Sequence, residues 1–181
     1  MPTIAIAKLD AARRQLTTAV ILYFNNLDVV SIHALAAAAY EVVGAIAKKR
    51  GQSTLIQRSL FDFLTDDMVK ELRQSMRRPQ NFFKHADRDP DAKLEFDPDS
   101  TEWVLLDAML TYAQITGEIP ILFNAFSVWF TLQKPEKLGR SPEVQARLLK
   151  AKEYFGHLSR QEFLTMYLAE SATIKHGHKS A

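Results

Sequence analysis

Apolar residues recur at helical spacing over most of the chain. Leu9, Ala12, Leu16, Ala19 or Val20, and Tyr23 predict an amphipathic helix over residues 6–24, which Asn25–Asn26 breaks. Asp28 is placed to cap a second helix. That helix carries Ile32, Leu35, Ala39, Val42 and Ile46 as its core stripe and ends in Lys48, Lys49, Arg50 and Gly51. Its small Ala36–Ala39 run would let another helix approach closely. By length, residues 29–47 could pass for a membrane span. His33 and Glu41 lie inside that stretch, however, and eight of its nineteen residues are alanine or glycine, so a buried helix with no membrane contact is expected.

Further along, LIQRSLFDFL (55–64) reads as a short helical piece, and Thr65 opens a helix with Met68, Leu72 and Met76 as its apolar row. Pro79 either kinks that helix or starts a new one. After an acidic loop, Ser100 or Thr101 is expected to cap a helix bearing Trp103, Leu106, Met109 or Leu110, and Ala113, with its end near Gly117. Pro120 opens ILFNAFSVWFTL, whose aromatic row Phe123, Phe126, Trp129 and Phe130 reads as core or as a dimer contact. Residues 134–140 read as a loop. Ser141-Pro142-Glu143 then starts a last helical region with a break expected at Gly156, and HGHKSA (176–181) reads as a disordered tail. LEF (94–96) is too short to be a strand of consequence. The pattern predicts an all-α fold, a compact single-domain helical bundle of about five to seven helices over residues 1–175.

Composition narrows the chemistry. The chain of 181 residues is 47% hydrophobic, enough for a real core, and has no cysteine. Disulfides, zinc–thiolate sites and thiol nucleophiles are therefore excluded, and a cytoplasmic location is expected. A net charge of +2 does not by itself argue for nucleic acid. The distribution of charge says more. Lys70, Arg73, Arg77, Arg78 and Lys84 face only Glu71, whereas Asp87, Asp89, Asp91, Glu95, Asp97, Asp99 and Glu102 face only Arg88 and Lys93.

The basic and acidic segments meet in NFFKHADRDPD (81–91). On a helix Asn81 and His85 share a face, and Arg78 lies about two turns before His85. That set suits RNA cleavage. The imidazole could take the 2′-hydroxyl proton, and the guanidinium could hold the phosphate as charge develops on it, with no metal or other cofactor required. Lys84 belongs to the same segment as a candidate binding residue. His33, Tyr40 and Glu41 on the second helix form a polar cluster that could line a cleft and orient His85.

Arg78-Pro79-Gln80-Asn81-Phe82-Phe83-Lys84-His85 resembles the motif of HEPN-domain proteins, an Arg, four to six residues and a His, often with Asn directly after the Arg. Asn81 stands at the family's usual offset from His85, while Gln80 occupies the place just before Asn where the family has Arg. The resemblance implies a small helical bundle, usually a homodimer, acting as a metal-independent ribonuclease or a nucleotide-binding protein. It also implies a role in toxin–antitoxin or defence systems, with RNA or an antitoxin-like protein as partner.

Asp87, Asp89 and Asp91 copy the opening of a calcium loop, but Ala92 and Pro98 stand where that loop needs Gly and Glu. A looser metal site would use His85, Asp87 and a further carboxylate. No phosphate-binding glycine loop, HExxH helix or nucleophile elbow is present. Lys134, Lys137, Arg140, Arg147, Lys150, Lys152 and Arg160 could touch RNA or an acidic partner, although glutamates interleave with them. Beside the ribonuclease reading stands a non-catalytic helical protein-interaction module.

Overall fold

A computed structural model describes residues 3–54, 66–85, 89–135 and 141–177. Among these residues it holds seven helices and no strand: α1 (Lys8–Phe24), α2 (Val29–Lys49), α3 (Asp66–Lys84), α4 (Asp99–Thr116), α5 (Ile121–Gln133), α6 (Pro142–Phe155) and α7 (Arg160–Gly177). The all-α bundle expected from periodicity is what forms. The 55–64 piece and residues 178–181 lie outside the described residues.

Local chemistry sets most of the boundaries. Asp28 accepts a bond from the Ser31 backbone N–H at 2.8 Å and so caps α2 as expected. The bonds from Ser31 also hold its carboxyl below the usual aspartate range. Asp28→Ala is expected to lower Tm by a few degrees, read by circular dichroism; an unchanged Tm would mean that the cap adds nothing to α2. Asn26 takes a left-handed backbone (φ 51°) in the α1–α2 turn, a conformation asparagine tolerates better than most residues. Gly117 (φ 74°) ends α4 in the same region. Gly156 ends α6, where a Cβ would stand 2.4 Å from the Lys152 carbonyl oxygen. Ser159 and Glu162 then open α7 by trading side-chain-to-backbone bonds, a capping box.

Two expectations change. Neither Ser100 nor Thr101 caps α4, which starts two to three residues earlier, at Asp99 after Pro98. Asp97 accepts from the Asp99 N–H at 3.0 Å and thereby takes that role, while Thr101 is buried and turned toward α2. The fully buried stripe of α2 is Ile32, Ala36, Ala39, Val43 and Ala47, so Leu35, Val42 and Ile46 sit on its flank. Alanine dominates this stripe because α2 is gripped from two sides, by α1 and by α4. Although α2 is long and apolar enough by length and composition to cross a membrane, in the fold it packs against α1, α3 and α4.

The core lies where α1, α4 and α5 meet, with Leu16, Val20, Leu105, Met109, Phe123, Phe126 and Phe130 buried. The aromatic row of α5 is core. Phe126 meets Tyr23 edge-on at 5.0 Å, and Trp129 lies 5.0 Å from Phe163 of α7. By contrast, α6 buries no side chain completely.

The acidic run of the sequence does not form one acidic surface. Asp97 is spent on the α4 start. Glu102 turns inward, where it accepts from Tyr23 Oη (2.6 Å) and Arg160 Nη2 (3.4 Å) and pairs with Lys134 Nζ (2.6 Å). Asp99 also pairs with Lys134, at 3.0 Å. Burial pulls the Lys134 ammonium down, but its bonds to Glu102 and Asp99 outweigh that and leave its pKa raised. Lys134 and Arg160, which sequence alone offers to RNA, are therefore engaged within the bundle. Lys152 is engaged too, donating to the Gln133 carbonyl at 2.7 Å.

Candidate functional site

The C-terminal half of α3 carries two rows of side chains that serve two different cavities. Pro79 lies inside the helix without ending it, and the His85 N–H still bonds the Asn81 carbonyl at 3.1 Å. Because the helix continues, residues 78, 81, 82 and 85 fall on one stripe, whereas 77, 80 and 84 fall on a neighbouring one.

The first stripe opens on a shallow groove of about 580 Å³, lined by Arg78, Asn81, Phe82 and His85 with Asp89, Ala92, Lys93 and Leu94 opposite. Arg78, Asn81, His85, Asp89 and Lys93 are exposed, while Phe82 and Leu94 are half-buried and give the groove an apolar floor. Two permanent cations, one imidazole, one amide and one carboxylate thus share a solvent-open depression. Such a set of side chains can hold a phosphate group and includes an imidazole able to donate or accept a hydrogen bond. The three residues that sequence reasoning made catalytic are brought together here.

The binding candidates are placed elsewhere. Tyr40 and Glu41 line a separate cleft of about 710 Å³ between α2 and α3, together with Lys48, Gln52, Arg77 and Gln80. Gln80 is only 3% exposed. With its amide turned to satisfy both neighbours, it donates to Glu41 Oε1 (3.1 Å) and accepts from Lys84 Nζ (2.6 Å). Gln80 is therefore a buried tie between α2 and α3, and Lys84 is part of it.

His33 lines neither cavity. It is fully buried, with Nδ1 3.0 Å from Thr101 Oγ1 and its ring edge-on to Phe83 (5.9 Å) and Phe96 (5.1 Å). Among the described residues Nε2 has no hydrogen-bond partner. His33 thereby braces α3, through Phe83, against the segment leading into α4. Burial pushes its pKa down to about 4. The unfolded chain binds a proton near pH 6.5 that the folded protein refuses until about pH 4, so acid favours unfolding. Stability is expected to fall by roughly 3 kcal/mol as pH drops through that window. His33→Leu is expected to flatten this slope in urea titrations at several pH values; an equal slope in both proteins would remove His33 as its cause.

Among the described residues no three His, Asp or Glu side chains gather to hold a metal ion, and Asp87 lies outside them. Sequence reasoning missed Lys93 and Leu94 as groove residues, because only the turn after α3 brings them back toward it. Comparison of the chain with protein-family models, with curated protein sequences and with solved structures finds no match.

Proposed function

We propose that this protein binds RNA in the α3 groove and cleaves it without a metal ion. The observation that carries this reading is the convergence of Arg78, Asn81 and His85 on one open groove. His85 takes the proton from a ribose 2′-hydroxyl, and the freed oxygen bonds to the adjacent phosphorus while the bond from phosphorus to the 5′-oxygen breaks. The products are a 2′,3′-cyclic phosphate and a 5′-hydroxyl. Arg78 and Lys93 hold the phosphate oxygens as negative charge builds on them, and Asn81 can donate to a non-bridging oxygen. The leaving 5′-oxygen needs a proton, from water or, in the homodimer that the HEPN resemblance implies, from a second copy's His85.

Cellular RNA incubated with the pure protein in EDTA is expected to give fragments ending in 2′,3′-cyclic phosphate. Intact RNA after prolonged incubation, at low salt and with several RNA pools, would count against the reading. A toxin role would appear as growth arrest on expression of the wild type, relieved by His85→Ala.

A second reading is a non-catalytic protein-interaction module, and α6 favours it. Val144, Leu149, Tyr154 and Phe155 are exposed on a helix with no fully buried residue. Loss of a co-purifying protein on Leu149→Glu with Tyr154→Glu, with no effect of His85→Ala, would favour this module over the ribonuclease.

A further inference from the structure

The Asp89 carboxylate is the group in the groove that a phosphate-binding site does not explain. It would repel the RNA backbone that Arg78 and Lys93 attract, yet it is built into place. Asp89-Pro90-Asp91-Ala92 forms a turn in which the Ala92 N–H bonds the Asp89 carbonyl at 3.0 Å, and proline in its second position fixes the backbone. Ion pairs among the described residues fall elsewhere, on Asp10 and on the Glu102 cluster, and Asp89 takes part in none of them. Its carboxylate remains open to whatever enters the groove.

A carboxylate only accepts hydrogen bonds. In a strand of RNA the donors are the 2′-hydroxyls and the N–H groups of the bases. Guanine alone offers two adjacent N–H groups, N1–H and the N2 amine, on one edge, which match the two oxygens of a carboxylate. Adenine and cytosine offer one amine on that edge, and uracil offers one ring N–H. The half-buried Phe82 supplies a face on which an unstacked base can lie, and Leu94 adds a second apolar surface.

From this arrangement we infer that Asp89 is a specificity residue, reading a guanine of single-stranded RNA in the groove while Arg78 and Lys93 hold the adjoining phosphate. The inference rests on the RNA reading above and names the substrate feature that the site selects. Duplex RNA would be refused, because its guanine edges are already paired.

The test is binding rather than cleavage, so that it does not depend on turnover. Fluorescence anisotropy would follow the full chain, in EDTA, with labelled 2′-O-methyl RNA hexamers of uridine holding one G, inosine, A, C or U at a central position. Wild type is expected to bind the G hexamer about five- to tenfold more tightly than the U hexamer, with inosine between them because it lacks the N2 amine. Asp89→Asn, nearly isosteric at an exposed position, is expected to erase the preference while binding the U hexamer at least as well as wild type does. Equal binding of all five hexamers by the wild type, or a G preference kept by Asp89→Asn, would overturn the inference and leave the RNA reading standing. No binding of any hexamer would overturn the RNA reading, and the inference with it.

Discussion

His85→Ala is expected to lower RNA cleavage by about 10²–10⁴-fold, the span that a positioned general base contributes. The imidazole is exposed at the end of α3, outside the buried core, so the variant is expected to fold, which circular dichroism would check. Arg78→Ala is expected to fall in the same direction, and Arg78→Lys is expected to recover only part of the loss because an ammonium cannot hold two phosphate oxygens in a fixed fork. The measurement is single-turnover cleavage of a labelled RNA in EDTA across pH 5–9. Equal rates for wild type and His85→Ala would end the assignment of His85 as base and return the groove to simple RNA binding.

The second large effect concerns stability. Glu102→Ala is expected to cost about 3–5 kcal/mol, the range for removing one partner of a buried ion pair. Glu102 receives groups from three other parts of the fold. Tyr23 comes from α1, Lys134 follows α5, and Arg160 opens α7 with its guanidinium 3.9 Å from the centre of the Tyr23 ring. Trp129 Nε1 donates to Tyr23 Oη at 3.1 Å and extends the cluster. Burial first, and the neighbouring Glu102 carboxylate next, push the Tyr23 phenol far up, so it stays protonated and donates. Without the carboxylate, Tyr23 loses its acceptor and the Arg160 and Lys134 cations lose the anion between them. Glu102→Gln is expected to cost less, because an amide oxygen can still accept from Tyr23. Urea unfolding would read both variants, with the midpoint moving and the slope unchanged. A loss below about 1 kcal/mol for Glu102→Ala would mean that the cluster is no better than an exposed pair.

How far the sequence speaks follows the range of each interaction. Asp28, Gly117 and Gly156 act on residues within one turn, so the ends they mark are readable from spacing alone. Ser159 and Glu162 carry an equally local capping signature. The start of α4 was less legible, because Asp97 competes with Ser100 and Thr101 and only the buried His33 explains where Thr101 goes. Glu102 looks like one more acid in a solvated run, and nothing near it in sequence announces Tyr23 or Arg160. The groove shows the same division. Helical spacing unites Asn81 and His85, and Arg78 joins them once the helix continues past Pro79. Asp89 and Lys93 arrive by way of a turn, which no periodicity places. His33, Tyr40 and Glu41 lie near one another on α2, yet His33 packs beneath Phe83 while Tyr40 and Glu41 open on the cleft beside Gln80.

The Glu102 cluster also bears on the order in which the chain assembles. Four residues join α1 to α2, so the closure that brings these two helices together is short and entropically cheap. The bonds from Tyr23 and Arg160 to Glu102 span 79 and 58 positions, and they form only after several helices have docked. The α1–α2 hairpin is then expected to form in the folding nucleus, with the charged cluster closing on the native side of the barrier. Its energy acts on the rate of leaving the native state. Substitutions at Glu102 should speed unfolding and leave the refolding rate nearly untouched, which makes this buried carboxylate a latch on the lifetime of the fold.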